Sequence, residues 1–254
     1  MILAIDVGNT NIVLGCMEGQ TVRSVSRIAS DPGKTDCEYA VTIRDVLALR
    51  GVTAEELEGS VLSSVVRPLG EALSRAMELL TGKPPLVVGP GLDHGLEIML
   101  DEPEQLGADL VVGAVAALRL CPPPLIVVDM GTATTLSVLD AAGRFRGGAI
   151  VPGLRLSMGS LSDGTNLLPR VPLEAPPTCI GTGTVSCMQS GAIYGSAAML
   201  DGLIDRMEAE LGQRVQVIAT GGLAPFVTPY CRRAVRCEPE LLLLGLAALW
   251  EQQK

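Results

Sequence analysis

The stretch Asp6-Val7-Gly8-Asn9-Thr10-Asn11 directly follows the apolar run Met1-Ile2-Leu3-Ala4-Ile5 at the start of the chain. A second stretch of the same kind, Asp129-Met130-Gly131-Thr132-Ala133-Thr134-Thr135, follows Leu125-Ile126-Val127-Val128 near the middle. Short continuous apolar runs are typical of strands that are buried on both faces. Each stretch therefore predicts a strand that ends in a loop with a carboxylate, a glycine and polar side chains.

The residue types in these two loops suit a phosphate group held through a cation. A glycine lets the backbone bend sharply and places no Cβ between its N–H groups and a phosphate. Thr and Asn side chains can donate hydrogen bonds to phosphate oxygens, whereas Asp would be repelled unless a cation lay between them. The loops thus indicate a metal–nucleotide complex. For one loop alone, a hairpin turn that satisfies its own backbone is an ordinary alternative, but two copies in matching contexts weaken it.

Hydrophobic periodicity predicts alternating strands and helices in both halves of the chain. Three stretches have apolar residues at helical spacing: Glu38 to Leu49, Gly70 to Leu80 and Ala108 to Leu120. The run Cys121-Pro122-Pro123-Pro124 ends any continuing helix. A second strand, loop and hairpin follow it, and the chain closes with a strand over 215–219 and a helix from Pro239. We expect an α/β fold of two related lobes, residues 1–120 and 121–254, with mixed sheets flanked by helices.

The composition excludes several classes of protein. A chain of 254 residues that is 48% hydrophobic can bury a substantial core. Its net charge of −9 argues against a nucleic-acid partner, which would need a basic surface. No apolar run approaches the length of a membrane span and no secretory signal is evident. These observations predict a cytoplasmic protein with no membrane partner.

Other chemistries find little support. The seven cysteines lack CxxC spacing and are expected to be small buried residues in a reducing compartment. His94 is the only histidine, which disfavours a Ser-His-Asp triad or a histidine-rich metal site. Gly33-Lys34-Thr35 lacks the first glycine of a Walker sequence, because Ile28 stands there. Gly181-Thr182-Gly183-Thr184 lacks the third glycine of a dinucleotide fingerprint, because Ser186 stands there.

The order of these features resembles the sugar-kinase, actin and heat-shock-chaperone superfamily, whose lobes are ribonuclease-H-like. Within it, the chain resembles the type III pantothenate kinase family from residue 1 to about 250. The motifs that carry the resemblance are Asp6 to Asn11, Gly107-Ala108-Asp109, Asp129 to Thr135, Gly147-Gly148-Ala149-Ile150 with Pro152-Gly153, Met188-Gln189-Ser190-Gly191 and Ala219-Thr220-Gly221-Gly222-Leu223-Ala224.

The resemblance implies transfer of the ATP γ-phosphate to the hydroxyl of pantothenate, the first step toward coenzyme A. Asp109 would be the general base, although its position also suits a helix N-cap. Asp129 would bind a monovalent cation, K⁺ or NH₄⁺, and Mg²⁺ would accompany the nucleotide. The nucleotide contacts implied by the family are Asp6, Val7, Gly8, Asn9, Thr10, Asn11, Ile12, Val13, Thr132, Gly221 and Gly222.

The family resemblance also implies an acceptor site and a homodimer. The implied substrate contacts are Leu100, Gly107, Ala108, Asp109, Leu110, Thr165 and Thr184, with Thr165 contributed across the dimer interface. The stretch Met188 to Leu203 contains small residues that could pack against a partner helix or, equally well, in the core.

The chain departs from the family pattern around the acceptor. Leu110 replaces the Arg that usually follows the catalytic Asp, Leu100 replaces a Tyr, and Leu136-Ser137 replaces Phe-Asp. An arginine grips a carboxylate such as that of pantothenate in a bidentate manner, and leucine does not. Three functions therefore stay open: a pantothenate kinase with a rearranged acceptor site, a kinase of the same fold for another small hydroxylated acceptor, and a non-catalytic nucleotide-binding regulator like the Bvg accessory factors.

Overall fold

A computed structural model describes residues 1–254. The chain forms two compact units. Unit 1 comprises Met1–Leu96, Asp101–Arg119 and Glu240–Lys254, and unit 2 comprises Glu97–Leu100 and Leu120–Pro239. Apart from a shift of one residue at Leu120, the expected lobes at residues 1–120 and 121–254 differ from this division at two places. The last helix packs with unit 1, and the short segment Glu97–Leu100 belongs to unit 2.

Unit 1 is built on a five-stranded sheet in the order β3-β2-β1-β4-β5. Its strands are β1 (Ile2–Val7), β2 (Asn11–Glu18), β3 (Thr21–Ala29), β4 (Gly59–Ser64) and β5 (Leu86–Val87). Its helices are α1 (Asp36–Ala48), α2 (Arg67–Thr81), α3 (Ala108–Leu120) and α7 (Leu241–Gln252), with short 3₁₀ turns at Ala54–Glu56 and Pro103–Gln105. The pairs β1–β2 and β2–β3 are antiparallel, and the pairs β1–β4 and β4–β5 are parallel.

Helices cover both faces of this sheet, which explains why β1 is apolar on both sides. Leu3, Ile5 and Val7 pack in a core with residues of α1 and α2. Ile2 and Ala4 point to the opposite face and pack in a second core with residues of α3 and α7. Side chains alternate along a strand, so Asp6 continues the row of Ile2 and Ala4 on the α3 side.

Unit 2 repeats the same plan with the order β10-β9-β6-β7-β8. Its strands are β6 (Leu125–Met130), β7 (Ala133–Leu139), β8 (Phe145–Pro152), β9 (Gln216–Thr220) and β10 (Arg236–Cys237). Its helices are α4 (Leu154–Asp163), α5 (Thr184–Leu211) and α6 (Ala224–Val227), followed by a 3₁₀ turn at Thr228–Tyr230. The antiparallel meander β6-β7-β8 and the parallel pairs β6–β9 and β9–β10 match the pairings of unit 1 strand for strand. The predicted α/β fold with two related mixed sheets is confirmed.

Two sequence expectations fail in the fold. Strand β3 is absent from the sequence prediction, because this edge strand is only partly buried and includes Arg23 and Arg27. Four of the cysteines expected in the core are exposed, because they lie on exposed helix faces, in a loop or on an edge strand: Cys37, Cys179, Cys187 and Cys237. No helix has the combination of length and apolar character that crossing a membrane would require.

Candidate active site

The first acidic loop is the turn of the β1–β2 hairpin. Asp6 lies near the end of β1, level with Val13 on β2 and with Ser63 on β4. The N–H of Gly8 donates to the carbonyl of Asn11 at 3.0 Å, and Ser30 Oγ donates to the carbonyl of Gly8 at 2.6 Å. The remaining loop side chains are exposed: Asn9, Thr10 and Asn11. The hairpin thus offers a fixed backbone with polar side chains open to solvent, as phosphate binding requires.

The second acidic loop is the turn of the β6–β7 hairpin. Asp129 is level with Thr135 on β7 and with Thr220 on β9. The N–H of Gly131 donates to the carbonyl of Ala133 at 3.0 Å. Thr132 is exposed at the tip. The sequence prediction that both loops are followed by a hairpin rather than a helix is confirmed, which separates them from Walker and Rossmann loops.

Two glycines press closely against this second loop. The N–H of Gly153 donates to the carbonyl of Thr132 at 3.0 Å, and a Cβ on Gly153 would lie 2.2 Å from that oxygen. Gly221 has a φ of +88°, and a Cβ there would lie 2.5 Å from Asp129 Oδ1 and 2.6 Å from the carbonyl oxygen of Met130. Only glycine is compatible with contacts this close. The Gly221 turn is therefore packed directly beside the Asp129 carboxylate, and Gly222 next to it is exposed.

Two sets of oxygen atoms lie at the second loop. The Asp129 carboxylate and the Met130 carbonyl lie beside Gly221, and the carbonyls of Gly131 and Thr132 lie beside Gly153. Carboxylate and carbonyl oxygens are hard donors that suit K⁺ or other hard cations better than soft metals. The residues present therefore fit a monovalent cation. No group of three or more His, Cys, Asp or Glu side chains is placed to hold a metal ion, so any metal here would rely on carbonyls or on a bound phosphate.

Asp109 lies in the first turn of α3, in unit 1. Its Oδ1 accepts a hydrogen bond from the N–H of Leu110 at 2.9 Å. The helix N-terminus is formed by Gly107, whose carbonyl accepts from the N–H groups of Leu110 and Val111, so Asp109 is inside the first turn rather than at the N-cap. Burial raises the pKa of the Asp109 carboxyl above its ordinary value, and the backbone N–H groups offset part of that rise. A carboxylate with a raised pKa is a stronger base for a hydroxyl proton.

The other expected acceptor residues fall in both units. Gly107, Ala108 and Leu110 are half-buried around Asp109 in unit 1, and a Cβ on Gly107 would lie 2.5 Å from Asp109 Oδ1. Leu100 belongs to the segment that adds to β8 in unit 2, where it lies against Gly147. Leu110 is apolar, so this position beside Asp109 offers no bidentate grip on a carboxylate.

Thr165 and Thr184 lie in unit 2, near α4 and at the start of α5, but neither lines the groove between these helices. Thr165 follows α4, and its Oγ1 donates to the carbonyl of Leu161 at 2.9 Å. Thr184 is the exposed first residue of α5. The groove between α4 and α5 has a volume of about 560 Å³ and is lined mainly by apolar and small residues, among them Leu161, Met188, Gly191 and Gly195.

Sequence reasoning missed the residues that support these loops. Ser30 anchors the first hairpin from 22 positions along the chain, and no local pattern links the two. Gly153 belongs to the Pro152-Gly153 motif, but its close contact with Thr132 can be seen only in the three-dimensional structure. The one signal that was available is Gly221 in a Gly-Gly pair directly after a strand, which predicts a sharp turn.

Comparisons with known proteins agree with this geometry. The family model described as type III pantothenate kinase matches residues 2–206. A type III pantothenate kinase from Syntrophotalea carbinolica is 42% identical over 254 residues, covering 100% of both chains. One from Moorella thermoacetica is 43% identical and covers 99% of both.

Solved structures share the fold at much lower identity. Component A of the (R)-2-hydroxyglutaryl-CoA dehydratase of Acidaminococcus fermentans is 16% identical with a TM-score of 0.60, covering 98% of this chain and 96% of the other. The inorganic polyphosphate/ATP-glucomannokinase of Arthrobacter sp. strain KM is 15% identical with a TM-score of 0.52, covering 100% and 99%. These likenesses show the sugar-kinase and actin-like fold. With the family match over most of its length and relatives above 40% identity over all of it, the chain belongs to the type III pantothenate kinase family.

Proposed function

We propose that this protein transfers the γ-phosphate of ATP to the primary hydroxyl of pantothenate, the first step of coenzyme A biosynthesis, in the cytoplasm. The observation that carries the proposal is the family match over residues 2–206, together with the presence of both acidic hairpins and of Asp109 in a partly buried helical turn. The relatives at 42% and 43% identity are type III pantothenate kinases.

The first hairpin would hold the metal-bound phosphates. Asp6 would bind Mg²⁺, which neutralises charge on the phosphoryl oxygens when it is bound. The exposed side chains of Asn9, Thr10 and Asn11 would donate to phosphate oxygens, with Val7, Gly8, Ile12 and Val13 shaping the loop. Mg²⁺ is commonly held by one or two carboxylates together with substrate phosphates, so Asp6 needs no cluster of acids around it.

The second hairpin would hold a monovalent cation at Asp129, with Thr132 in contact with the nucleotide. Gly221 and Gly222 would leave room beside the adenosine. The support for this assignment is that an oxygen of the Asp129 carboxylate and the carbonyl oxygen of Met130 both lie beside Gly221.

Asp109 would accept the proton of the acceptor hydroxyl. The new bond forms between the acceptor oxygen and the γ-phosphorus, the bond from that phosphorus to the β,γ-bridging oxygen breaks, and ADP leaves with the electron pair. The raised pKa of Asp109 supports the role, and its hydrogen bond from Leu110 keeps the carboxylate oriented.

The assay that tests this function uses purified protein with ATP, Mg²⁺, K⁺ or NH₄⁺ and pantothenate, and follows phosphopantothenate. Phosphorylation that falls by about 10² to 10⁴-fold in Asp109→Asn, the contribution of a general base, supports the proposal. ATP turnover only with another hydroxylated acceptor would support the second function left open by the sequence. Nucleotide binding with no turnover would support a regulator.

Leu110 is the specific observation that favours a changed acceptor. If its lack of charge weakens pantothenate binding, Leu110→Arg should lower the KM for pantothenate by about 10- to 100-fold, equivalent to about 1.5 to 3 kcal/mol for a charge-assisted pair. Leu110→Met keeps volume without charge and is the matched control. An unchanged KM in Leu110→Arg would show that the carboxylate is recognised elsewhere.

We also propose a homodimer formed through α4 and α5. Gly191 and Gly195 are one helical turn apart on α5, both are exposed, and a Cβ on either would have no neighbour within 4 Å. They are therefore not needed for core packing, unlike the buried Ala192 and Ala197. Exposed apolar residues accompany them on unit 2, namely Ile150, Leu156, Leu161, Leu167, Ile180 and Val185.

The oligomeric state in solution tests this second proposal. Leu161→Glu combined with Val185→Glu should convert a dimer into a monomer in analytical ultracentrifugation, because two charges would be buried without partners. Leu79→Glu changes an exposed leucine on unit 1 and should leave the dimer intact. A monomeric wild type would refute the proposal.

A further inference from the structure

Strand β4 contains two serines whose hydroxyl groups are buried without a hydrogen-bond partner. Ser60 is 1% exposed and Ser63 is 0% exposed, and neither Oγ has a partner. Buried polar atoms in folded proteins are nearly always hydrogen-bonded, so an exception calls for an explanation. Alanine would fit both positions without leaving an unpaired hydroxyl.

The two serines lie on opposite faces of the sheet. Ser60 is level with Leu3 on β1, and Leu3 faces the core shared with α1 and α2. Ser63 is level with Asp6, on the face that packs against α3 and α7. Neighbouring strands are about 4.8 Å apart, so paired residues on the same face have their side chains adjacent. The Ser63 hydroxyl and the Asp6 carboxylate therefore extend from neighbouring positions on the same face of the sheet.

Unit 2 contains the same arrangement. Asp129 on β6 is level with Thr220 on the parallel neighbour β9, and Thr220 is 2% exposed. Strands β4 and β9 occupy equivalent places in the two sheets. In both units, therefore, the acid at the end of the central strand has a buried hydroxyl beside it on the adjacent parallel strand.

We propose that Ser63 is a positioning residue for Asp6, and that its hydroxyl donates to the Asp6 carboxylate when the metal–nucleotide complex is bound. This inference rests on the function proposed above. A carboxylate that binds a metal is commonly held by an outer hydrogen-bond donor, and loss of such a donor weakens metal binding by about 10- to 100-fold. Ser63 is buried too deeply to reach the nucleotide itself, so it would act through Asp6.

The test compares Ser63→Ala with Ser60→Ala, which removes an equally buried and equally unpartnered hydroxyl from the other face of the same strand. ADP binding is measured by calorimetry with Mg²⁺ and again with EDTA, and thermal unfolding is measured without ligand. We expect Ser63→Ala to bind ADP with Mg²⁺ about 10- to 100-fold more weakly. Its binding in EDTA and its unfolding temperature should equal or exceed those of the wild type. Ser60→Ala should match the wild type in both binding experiments.

A third variant, Ser63→Thr, restores a hydroxyl of the kind that unit 2 uses at Thr220. It should recover at least part of the Mg²⁺-dependent binding. An unchanged affinity in Ser63→Ala would overturn the inference, and so would an equal loss in Ser63→Ala and Ser60→Ala or an equal loss with and without Mg²⁺. A wild type that binds no ADP at all would instead refute the proposed function.

Discussion

The two acidic hairpins share a fold but differ in what holds them in place. The β1–β2 turn of unit 1 is anchored by a side chain, since Ser30 Oγ donates to the carbonyl of Gly8. The β6–β7 turn of unit 2 is enclosed by backbone, since Gly153 and Gly221 leave no room for a Cβ beside it. The repeated strand order therefore duplicates the position of each carboxylate and of the buried hydroxyl beside it, but not the contacts that hold the turn. The second hairpin is therefore more tightly enclosed than the first.

The largest effects are expected when each hairpin loses its carboxylate. Asp6→Asn should lower kcat/KM by about 10³-fold or more, because metal stabilisation of the transferring phosphoryl group is worth several kcal/mol. Asp129→Asn should instead abolish the difference in rate between K⁺ and a large organic cation at equal ionic strength. Steady-state kinetics with Mg²⁺ and K⁺ varied separately would measure both.

The proposed difference between the two hairpins is contradicted if both variants respond to K⁺ in the same way. Equal loss of the K⁺ response in Asp6→Asn and Asp129→Asn would mean that the hairpins do not divide the cations between them.

The next largest effect should come from adding a methyl group at a glycine of each hairpin. Gly221→Ala places a Cβ 2.5 Å from Asp129 Oδ1 at a φ of +88°, and strain together with overpacking should cost about 2 to 4 kcal/mol. Gly8→Ala meets only the carbonyl of Asn11, at 3.2 Å, and has no positive φ, so it should cost less than about 1 kcal/mol. Urea denaturation of both variants measures the difference. Similar costs would show that the second hairpin is no more tightly enclosed than the first.

The second turn of each antiparallel meander shows a similar difference. The β7–β8 turn of unit 2 is held by a buried carboxylate, whereas the β2–β3 turn of unit 1 carries an exposed ion pair. In unit 2, the buried Asp140 in the β7–β8 turn accepts from the N–H groups of Ala142 and Arg144 and pairs with the Arg144 guanidinium at 2.8 Å. Although burial raises the pKa of Asp140, these contacts outweigh it and lower the pKa to about 2. In unit 1, the corresponding Arg23–Glu18 pair is exposed, and exposed pairs contribute little.

Asp140→Asn should therefore destabilise the protein at pH 7 by about 1 to 2 kcal/mol, the size of a charge-assisted hydrogen bond partly screened at Arg144. Because the folded pKa of Asp140 is depressed, its stabilisation is present above pH 4 and is lost as pH falls toward 2. The stability difference between wild type and variant should shrink over that interval in denaturation curves. Glu18→Gln is the matched control and should change stability by less than about 0.5 kcal/mol at either pH.

The smallest effect concerns the anchor of the first hairpin. Ser30→Ala removes one hydrogen bond to the carbonyl of Gly8 and should cost about 0.5 to 1.5 kcal/mol. Amide hydrogen exchange should quicken over residues 6–12 and stay unchanged over residues 129–135. Faster exchange in both hairpins would mean that the loss is global and that Ser30 is not a local anchor.

Much of the site was predictable from the sequence because its parts are local. An apolar run followed by Asp-x-Gly predicts the ends of β1 and β6, and the helical spacing of apolar residues predicts α3 at Ala108 to Leu120, as observed. Edge strand β3 was not predicted, because it is only partly buried and lacks a continuous apolar run. The approach of Gly221 to Asp129 and the register of Ser63 with Asp6 join segments 92 and 57 residues apart, and no periodicity encodes such pairings.

Helix α7 is a further case in which the sequence pattern does not reveal the packing partner. Its position in the core also bears on the order in which the protein folds during synthesis. Its partners in the core include Ile2 and Ala4, near the other end of the chain, together with residues of β4 and α3. Since synthesis proceeds from the N-terminus, the nascent chain has the whole of unit 2 available before the last strip of the unit 1 core emerges from the ribosome. The β1–β2 hairpin is translated first, but the core behind it would be completed only after α7 is made. A chain that ends before Glu240 would lack α7, and the strand that carries Asp6 would lose part of its core packing.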